Sequence, residues 1–375
     1  MLGGQGYLEL PGHDGPHGVG FVGEAGVQRG WLAPAAARTS SRVVCRTLRA
    51  CTSSPADATT RSVAGDTSRV DLAQTPADRF ADLVDYPYEP LWVTLPGGVR
   101  MAYVETGPAD GPTVVLVHGE PTWGYLYRAM TGPLAAAGLR VVVPDLVGFG
   151  RSDKPTDPGD YSYAGHVEWL RAALFDALDL QDITYVGQDW GGLIGMRLLA
   201  EHHERFARVV MANTGLPTGD VPMPEVWQRF RTMVQRSEDL DVARTVDSGC
   251  LRSLSEQAKA AYDAPYPSER FLAGVRAFPG LVPNTPDDPA AAANKAAWQR
   301  LSRLDVPFLT AFSDSDPITR GGDRWMRERI PGAAGQPHTT IEGAGHFLQE
   351  DQPQRFAEVI AGFVRDTSRG HDMGR

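Results

Sequence analysis

The sequence predicts an α/β protein: a mostly parallel central sheet flanked by helices, with an inserted helical cap. Three observations carry this. Short continuous apolar runs, the kind that form strands buried on both faces, recur at Thr113–His118, Arg140–Pro144 and Ile183–Val186. Helical periodicity separates them, and strand–helix alternation implies parallel strands joined by crossover helices. The alternation stops from 215 to about 287, where the chain is helical and punctuated by proline, and resumes at Val306–Phe312.

In chain order, Leu91–Leu95 and Arg100–Glu105, split by Pro96-Gly97-Gly98, read as a hairpin. Helices are expected over Tyr125–Ala137, ending at Gly138, and over Ala164–Leu178. Gly192–His202 is the next helix and Ala207–Ala212 the next strand. After the cap come Val306–Phe312, the short strand Thr339–Ile341 and an amphipathic helix near Pro353–Arg365. The expected division is a core of 76–214 and 288–368, a cap of 215–287 and a tail of 369–375.

Residues 1–75 read differently. They are Gly-rich up to Gly30 and then run through Arg, Ser, Ala and Thr, with no apolar core for a secretory signal. Glu9, Asp14 and Glu24 argue against an organellar transit peptide. The expectation is a disordered extension, of the kind an upstream start codon adds in a GC-rich genome. Lysine occurs only at Lys154, Lys259 and Lys295 among 36 basic residues, which fits such a genome.

Composition narrows the function. With 36 basic against 46 acidic residues, the net charge of −10 disfavours nucleic acid, whose binding rests on neutralising phosphates. No run of eighteen apolar residues offers a membrane span. Cys45, Cys51 and Cys250 build no disulfide framework, and no Cys/His cluster has zinc-ligand spacing. A cytoplasmic protein without metal or organic cofactor is expected.

The strongest local signal is Val186-Gly187-Gln188-Asp189-Trp190-Gly191-Gly192, where a buried strand runs in and a helix leaves. Small residues on both sides permit the strained turn that lifts a nucleophile above a sheet. An aspartate there could instead cap the helix, but capping does not require small neighbours. In this topology an acid and a histidine follow later, each after a strand. His346 stands in the glycine-bearing segment Glu342–Phe347, and Asp316 of Asp316-Pro317-Ile318 is favoured as the acid over a solvated Asp314. His118-Gly119-Glu120, directly after a buried strand, suits an oxyanion hole made by the backbone N–H groups of Glu120 and Trp190, with His118 structural.

A carboxylate nucleophile displaces a leaving group at saturated carbon, so epoxides and halogenated alkanes are the substrates that fit. The indole N–H of Trp190 can hold a halide but cannot supply a mobile proton.

The segments HGEPTWGYLYR (118–128), DLVGFGRSDKP (145–155), QDWGG (188–192) and GAGHFLQE (343–350) resemble the haloalkane dehalogenases of the alpha/beta-hydrolase fold. More narrowly they resemble the subfamily whose catalytic acid follows the seventh strand. The similarity runs from about Pro76 to Thr367 and includes AYDAPYP (261–267) and GVRAFP (274–279) in the cap. It implies Asp189 as nucleophile, His346 as base, Asp316 as the acid that orients it, Trp190 as one halide ligand and Glu120 beside the hydrolytic water. It also implies a second halide ligand from a cap tryptophan. Where some members carry it this chain has Gly249-Cys250-Leu251, and Trp227 is the cap's only tryptophan. Trp123 and Trp169 are expected to be structural and Cys250 to pack. The implied partners are a small halogenated alkane and water, acting on a monomer. Two rivals remain: an epoxide hydrolase with the same triad, which needs paired cap tyrosines such as Tyr262 and Tyr266, and a non-catalytic binding protein on this fold.

Overall fold

In the computed structural model, which describes residues 70–372, eight strands form one twisted sheet. They are β1 (Leu91–Thr94), β2 (Arg100–Thr106), β3 (Thr113–Val117), β4 (Arg140–Pro144), β5 (Ile183–Gln188), β6 (Phe206–Ala212), β7 (Phe308–Ser313) and β8 (Thr339–Ile341). Their spatial order is β8-β7-β6-β5-β3-β4-β2-β1. β1, β2 and β4 pair antiparallel, which is the predicted hairpin and its attachment; every other pairing is parallel.

The central strands explain their own composition. Val115 pairs with Val142 on one side and Tyr185 on the other, and every residue of β5 is buried. A strand covered on both faces has no polar side to display, so its sequence is continuous rather than alternating. At the edge, β1 leaves Leu91 and Trp92 exposed.

Helices cover both faces: α1 (Arg128–Ala136), α2 (Tyr163–Arg171) and α3 (Trp190–Glu201) between the early strands. Ser162 caps α2 by accepting the Gly165 N–H. The single helix expected over 164–178 continues past Arg171 as a wider π-type turn, Ala172–Ala177. Between β6 and β7 the chain makes its helical excursion: α4 (Glu225–Arg236), α5 (Val242–Gly249), α6 (Glu256–Asp263) and α7 (Ala273–Leu281), followed by α8 (Ala291–Leu301). α8 returns to pack on α3. α9 (Gly322–Arg329), α10 (Leu348–Asp351) and α11 (Pro353–Asp372) complete the chain.

Two boundaries need correction. The folded structure starts before Pro76: Leu72–Ala73 pair with Lys154–Pro155, the Thr75 hydroxyl donates to Pro265 O at 2.7 Å, and Asp71 pairs with Arg270. Backbone N–H and C=O groups at a domain edge find partners wherever a neighbouring segment offers them, and hydropathy does not report this. At the other end α11 runs to Asp372 rather than stopping before a tail at 369, carried by the buried row Phe356, Ile360, Phe363 and Val364. The remaining expectation for residues 1–69, including Cys45 and Cys51, lies outside the described residues.

Candidate active site

The loops that leave β3, β5, β6, β7 and β8 all emerge at the carboxyl ends of parallel strands, where open α/β sheets gather their functional groups. β5 delivers Asp189 at φ 51° and ψ −123°, a conformation that costs a non-glycine residue about 1–3 kcal/mol. Its neighbours hold it there. The Asp189 N–H donates to Asn213 O at 3.1 Å, and the Thr214 hydroxyl donates to Asp189 O at 2.7 Å. Glycine is required beside it, because a Cβ on Gly191 would stand 2.0 Å from the Val117 carbonyl oxygen.

The Asp189 carboxylate accepts the Glu120 N–H at Oδ1 (2.8 Å), and its Oδ2 is 3.5 Å from His346 Nε2. On the far side of the ring, His346 Nδ1 meets Asp316 Oδ2 at 2.9 Å. Asp316 is buried and also accepts the Ile318 N–H and the Thr319 hydroxyl. Burial alone would raise its carboxyl pKa; the His346 charge and these donors outweigh it and hold the pKa below the usual value. Burial likewise disfavours an imidazolium at His346, but Asp316 and Asp189 overcome it and raise the ring's pKa to about 10. Asp314, by contrast, is exposed and 3.0 Å from the Gly343 N–H, so it braces the loop that carries His346.

Glu120 is buried above the same carboxylate. Desolvation, then the charge of Asp189, push its pKa well above the ordinary range, and its Oε1 has no hydrogen-bond partner among the described residues. Trp190 occupies the first turn of α3, where backbone N–H groups lack intrahelical acceptors. His118 spends both ring nitrogens on backbone: Nδ1 on Gly119 O at 3.0 Å and Nε2 as acceptor of the Leu146 N–H at 2.9 Å. Its burial lowers its pKa to about 4.

These groups face a cavity of about 1120 Å³ lined by Asp189, Glu120, His346, Trp190, Trp227 and Phe230, among others. Trp190 packs tilted by 30° against Phe278 with ring centroids 4.4 Å apart, and α4 supplies Trp227. The indole N–H groups of Trp123 and Trp298 donate to backbone carbonyls of Ala261 and Leu216. Those of Trp190 and Trp227 meet no protein acceptor among the described residues. Trp169 stands away from the cavity, edge-on to Tyr161 and His166. The two cap tyrosines are engaged elsewhere, Tyr262 donating to Glu350 and Tyr266 to Pro121 O. Cys250 is buried against Val246 O, and burial pushes its thiol pKa up. No cluster of His, Cys, Asp or Glu suited to a metal occurs among the described residues.

Several supporting residues were not anticipated. Asn213 donates to Gly345 O and His346 O, and the Gln188 amide nitrogen lies 3.1 Å from His346 Nε2. Asp351 accepts N–H groups of Leu251, Arg252 and Gly345, tying the end of α5 to the histidine loop. Arg128 and Glu350, both inside the quoted motifs, form a partly buried ion pair at 2.5 Å.

A mostly parallel sheet with a strained elbow after its fifth strand is the architecture of an alpha/beta hydrolase, and residues 112–353 match the model of the alpha/beta hydrolase fold family. Among curated proteins, the haloalkane dehalogenase of Psychrobacter cryohalolentis is 49% identical over 302 residues, covering 80% of this chain and 99% of that protein. Haloalkane dehalogenase 1 of Mycobacterium tuberculosis is 51% identical over 305 residues, covering 80% and 100%. The tetrameric structure of haloalkane dehalogenase DpaA from Paraglaciecola agarilytica superposes with a TM-score of 0.72 at 34% identity, covering 79% of this chain and 98% of that one. The chain belongs to the haloalkane dehalogenases. No described helix is long and apolar enough to cross a membrane.

Proposed function

We propose that the chain cleaves the carbon–halogen bond of a small haloalkane in two steps through an ester on Asp189. The observation that carries this is the elbow itself: a carboxylate, not a hydroxyl, stands between the Glu120 amide and the His346 ring and faces a cavity with two unengaged indole N–H groups.

In the first step an Asp189 oxygen attacks the carbon bearing the halogen. A C–O bond forms, the C–X bond breaks, and the halide leaves with the electron pair between the indole N–H groups of Trp190 and Trp227. Esterification removes the charge of Asp189, one of the two carboxylates that hold the His346 pKa up. The ring then releases its proton to solvent and becomes a base, oriented by Asp316 and assisted by the Gln188 amide, which suits a neutral ring.

In the second step His346 takes a proton from water, which the neutral carboxyl of Glu120 helps to place. The oxygen attacks the ester carbonyl, and the backbone N–H groups of Glu120 and Trp190 hold the oxyanion. Collapse breaks the bond to the alkyl oxygen; the alcohol leaves with the water's second proton and Asp189 regains its charge. The sum is haloalkane plus water giving a primary alcohol, halide and a proton. Every group named comes from one chain, so a monomer suffices, and no step calls for a metal or organic cofactor.

Epoxide opening is less well supported, because the leaving oxygen needs a proton and the hydroxyls of Tyr262 and Tyr266 point at Glu350 and Pro121. The test is bromide release from 1-bromobutane. Wild type should release bromide and Asp189→Asn should not, while His346→Gln should accumulate protein heavier by one butyl group. Turnover by Asp189→Asn, or no adduct on a folded His346→Gln, would overturn the two-step reading.

A further inference from the structure

Two adjacent carboxylates end α10, and they are satisfied in different ways. Glu350 has a cation, Arg128, and the Tyr262 hydroxyl of α6 also donates to it. Asp351 is 3% exposed, and no Lys or Arg lies in ion-pair range of it among the described residues. Its charge is met by backbone alone. Oδ1 accepts the N–H groups of Leu251 and Arg252, both at 3.0 Å, and Oδ2 accepts those of Leu251 at 2.9 Å and Gly345 at 2.8 Å. A carboxylate taken out of water is costly unless oriented donors replace its hydration.

Those amides belong to two separate parts of the chain. Leu251 and Arg252 follow α5 in the cap, whereas Gly345 immediately precedes His346. The two parts also touch directly. Gly249 O accepts the His346 N–H at 2.8 Å, and a Cβ on Gly345 would stand 2.4 Å from that same oxygen. The His346 backbone is therefore held from both sides of the cavity, at its carbonyl by Asn213 and at its N–H by the cap turn. Gly343 and Gly345 give this segment wide conformational freedom, and these bonds remove it.

We propose that Asp351 is a positioning residue for the base: it joins the cap turn 249–252 to the histidine segment, and hydrolysis of the ester, rather than cleavage of the carbon–halogen bond, depends on it. This rests on the two-step reading above. His346 acts only in the second step, so a fault in its position slows that step alone. The end of α5 then works as part of the base, while the rest of the cap shapes the cavity.

The test is rapid-quench bromide release from 1-bromobutane, with the intact mass of the quenched protein, in wild type, Asp351→Asn and Gly249→Ala. Thermal melting checks folding. Asparagine keeps the shape but turns one acceptor into a donor that faces backbone N–H groups. Gly249→Ala works from the cap side, since its Cβ would stand 2.6 Å from the Phe347 ring and 3.6 Å from His346 Cβ. In both variants the first equivalent of bromide should appear within about twofold of the wild-type rate, while kcat falls about tenfold and the butyl ester accumulates. Added to His346→Gln, which cannot hydrolyse the ester, Asp351→Asn should leave the bromide burst as it is. A junction that only stabilises the fold predicts otherwise: burst, turnover and melting temperature would fall together. That outcome, wild-type turnover in either folded variant, or failure of both to fold, would overturn the positioning role alone. No bromide from wild type would overturn the dehalogenase reading and this role with it.

Discussion

On the sheet side of the cavity, the nucleophile and the histidine are each fixed by several bonds. Asp189 is held by Asn213, Thr214 and Glu120. His346 is held at its ring by Asp316, at its carbonyl by Asn213 and Gln188, and at its N–H by Gly249 O. On the helical side, Trp227, Phe230, Pro279 and Val282 line the cavity by apolar packing. The sheet side bonds polar groups to backbone, so a shift of one atom breaks several interactions; the helical side needs volume and one N–H. The difference assigns bond-breaking geometry to the first and substrate range to the second. Substitutions on the two sides should therefore fail in different ways.

The largest effect is expected at Gly191. A methyl there would lie 2.0 Å from one backbone oxygen and 2.6 Å from its carbon, so β3 and α3 must separate. Gly191→Ala should cost about 3 kcal/mol or more and lower the melting temperature by several degrees, with activity lost in step. A variant that melts like wild type would show that the sheet side is more forgiving than its packing indicates.

The parts of this contrast that could be read from sequence are those with local signatures. An elbow needs small residues on both sides of one position, so Asp189 stands out in a seven-residue window. A histidine that follows Gly343-Ala344-Gly345 after the last strand marks His346, and chain order leaves Asp314 or Asp316. The clamps were invisible for the opposite reason. Asn213 reaches His346 across 133 positions, and Asp351 joins Leu251 across 100. No spacing rule encodes a side chain that bonds to backbone so far away. The start of the folded chain was misplaced for a related reason: Leu72–Ala73 are defined by pairing with Lys154–Pro155, not by their own hydropathy. On the helical side, Trp227 came from resemblance alone, since one tryptophan in an amphipathic helix looks like any core residue.

A smaller effect, confined to the reaction, is expected at Trp227. Phenylalanine keeps the ring but removes the N–H, and one hydrogen bond to an anion is worth about 1.5–3 kcal/mol. Trp227→Phe should lower kcat/KM for 1-bromobutane by about tenfold and leave the melting temperature nearly unchanged. It should also weaken bromide binding, read by quenching of tryptophan fluorescence. If turnover and bromide affinity both match wild type, the second halide ligand lies elsewhere.

A pH-dependent effect concerns the charge stored on the sheet side. Folding raises the His346 pKa from an ordinary value of about 6.5 to about 10, because Asp316 and Asp189 outweigh burial. The folded state therefore binds this proton more tightly than the unfolded chain. Its contribution to stability is complete below pH about 6.5 and is lost as pH rises through 10. Buried Lys154 acts in the opposite sense over part of the same range. Burial outweighs Asp145 and Asp153 and lowers its pKa to about 7, so its share of stability grows as pH rises. A melting curve of wild type against pH would mix the two. Subtracting the curve of His346→Gln leaves Lys154 and the other groups common to both, and the remaining difference should decline steadily from pH 6.5 to 10. A flat difference would mean that the Gln188 amide, which favours the neutral ring, prevails over the two carboxylates. His346 would then already be a base before the ester forms, and the first chemical step would not be what frees it.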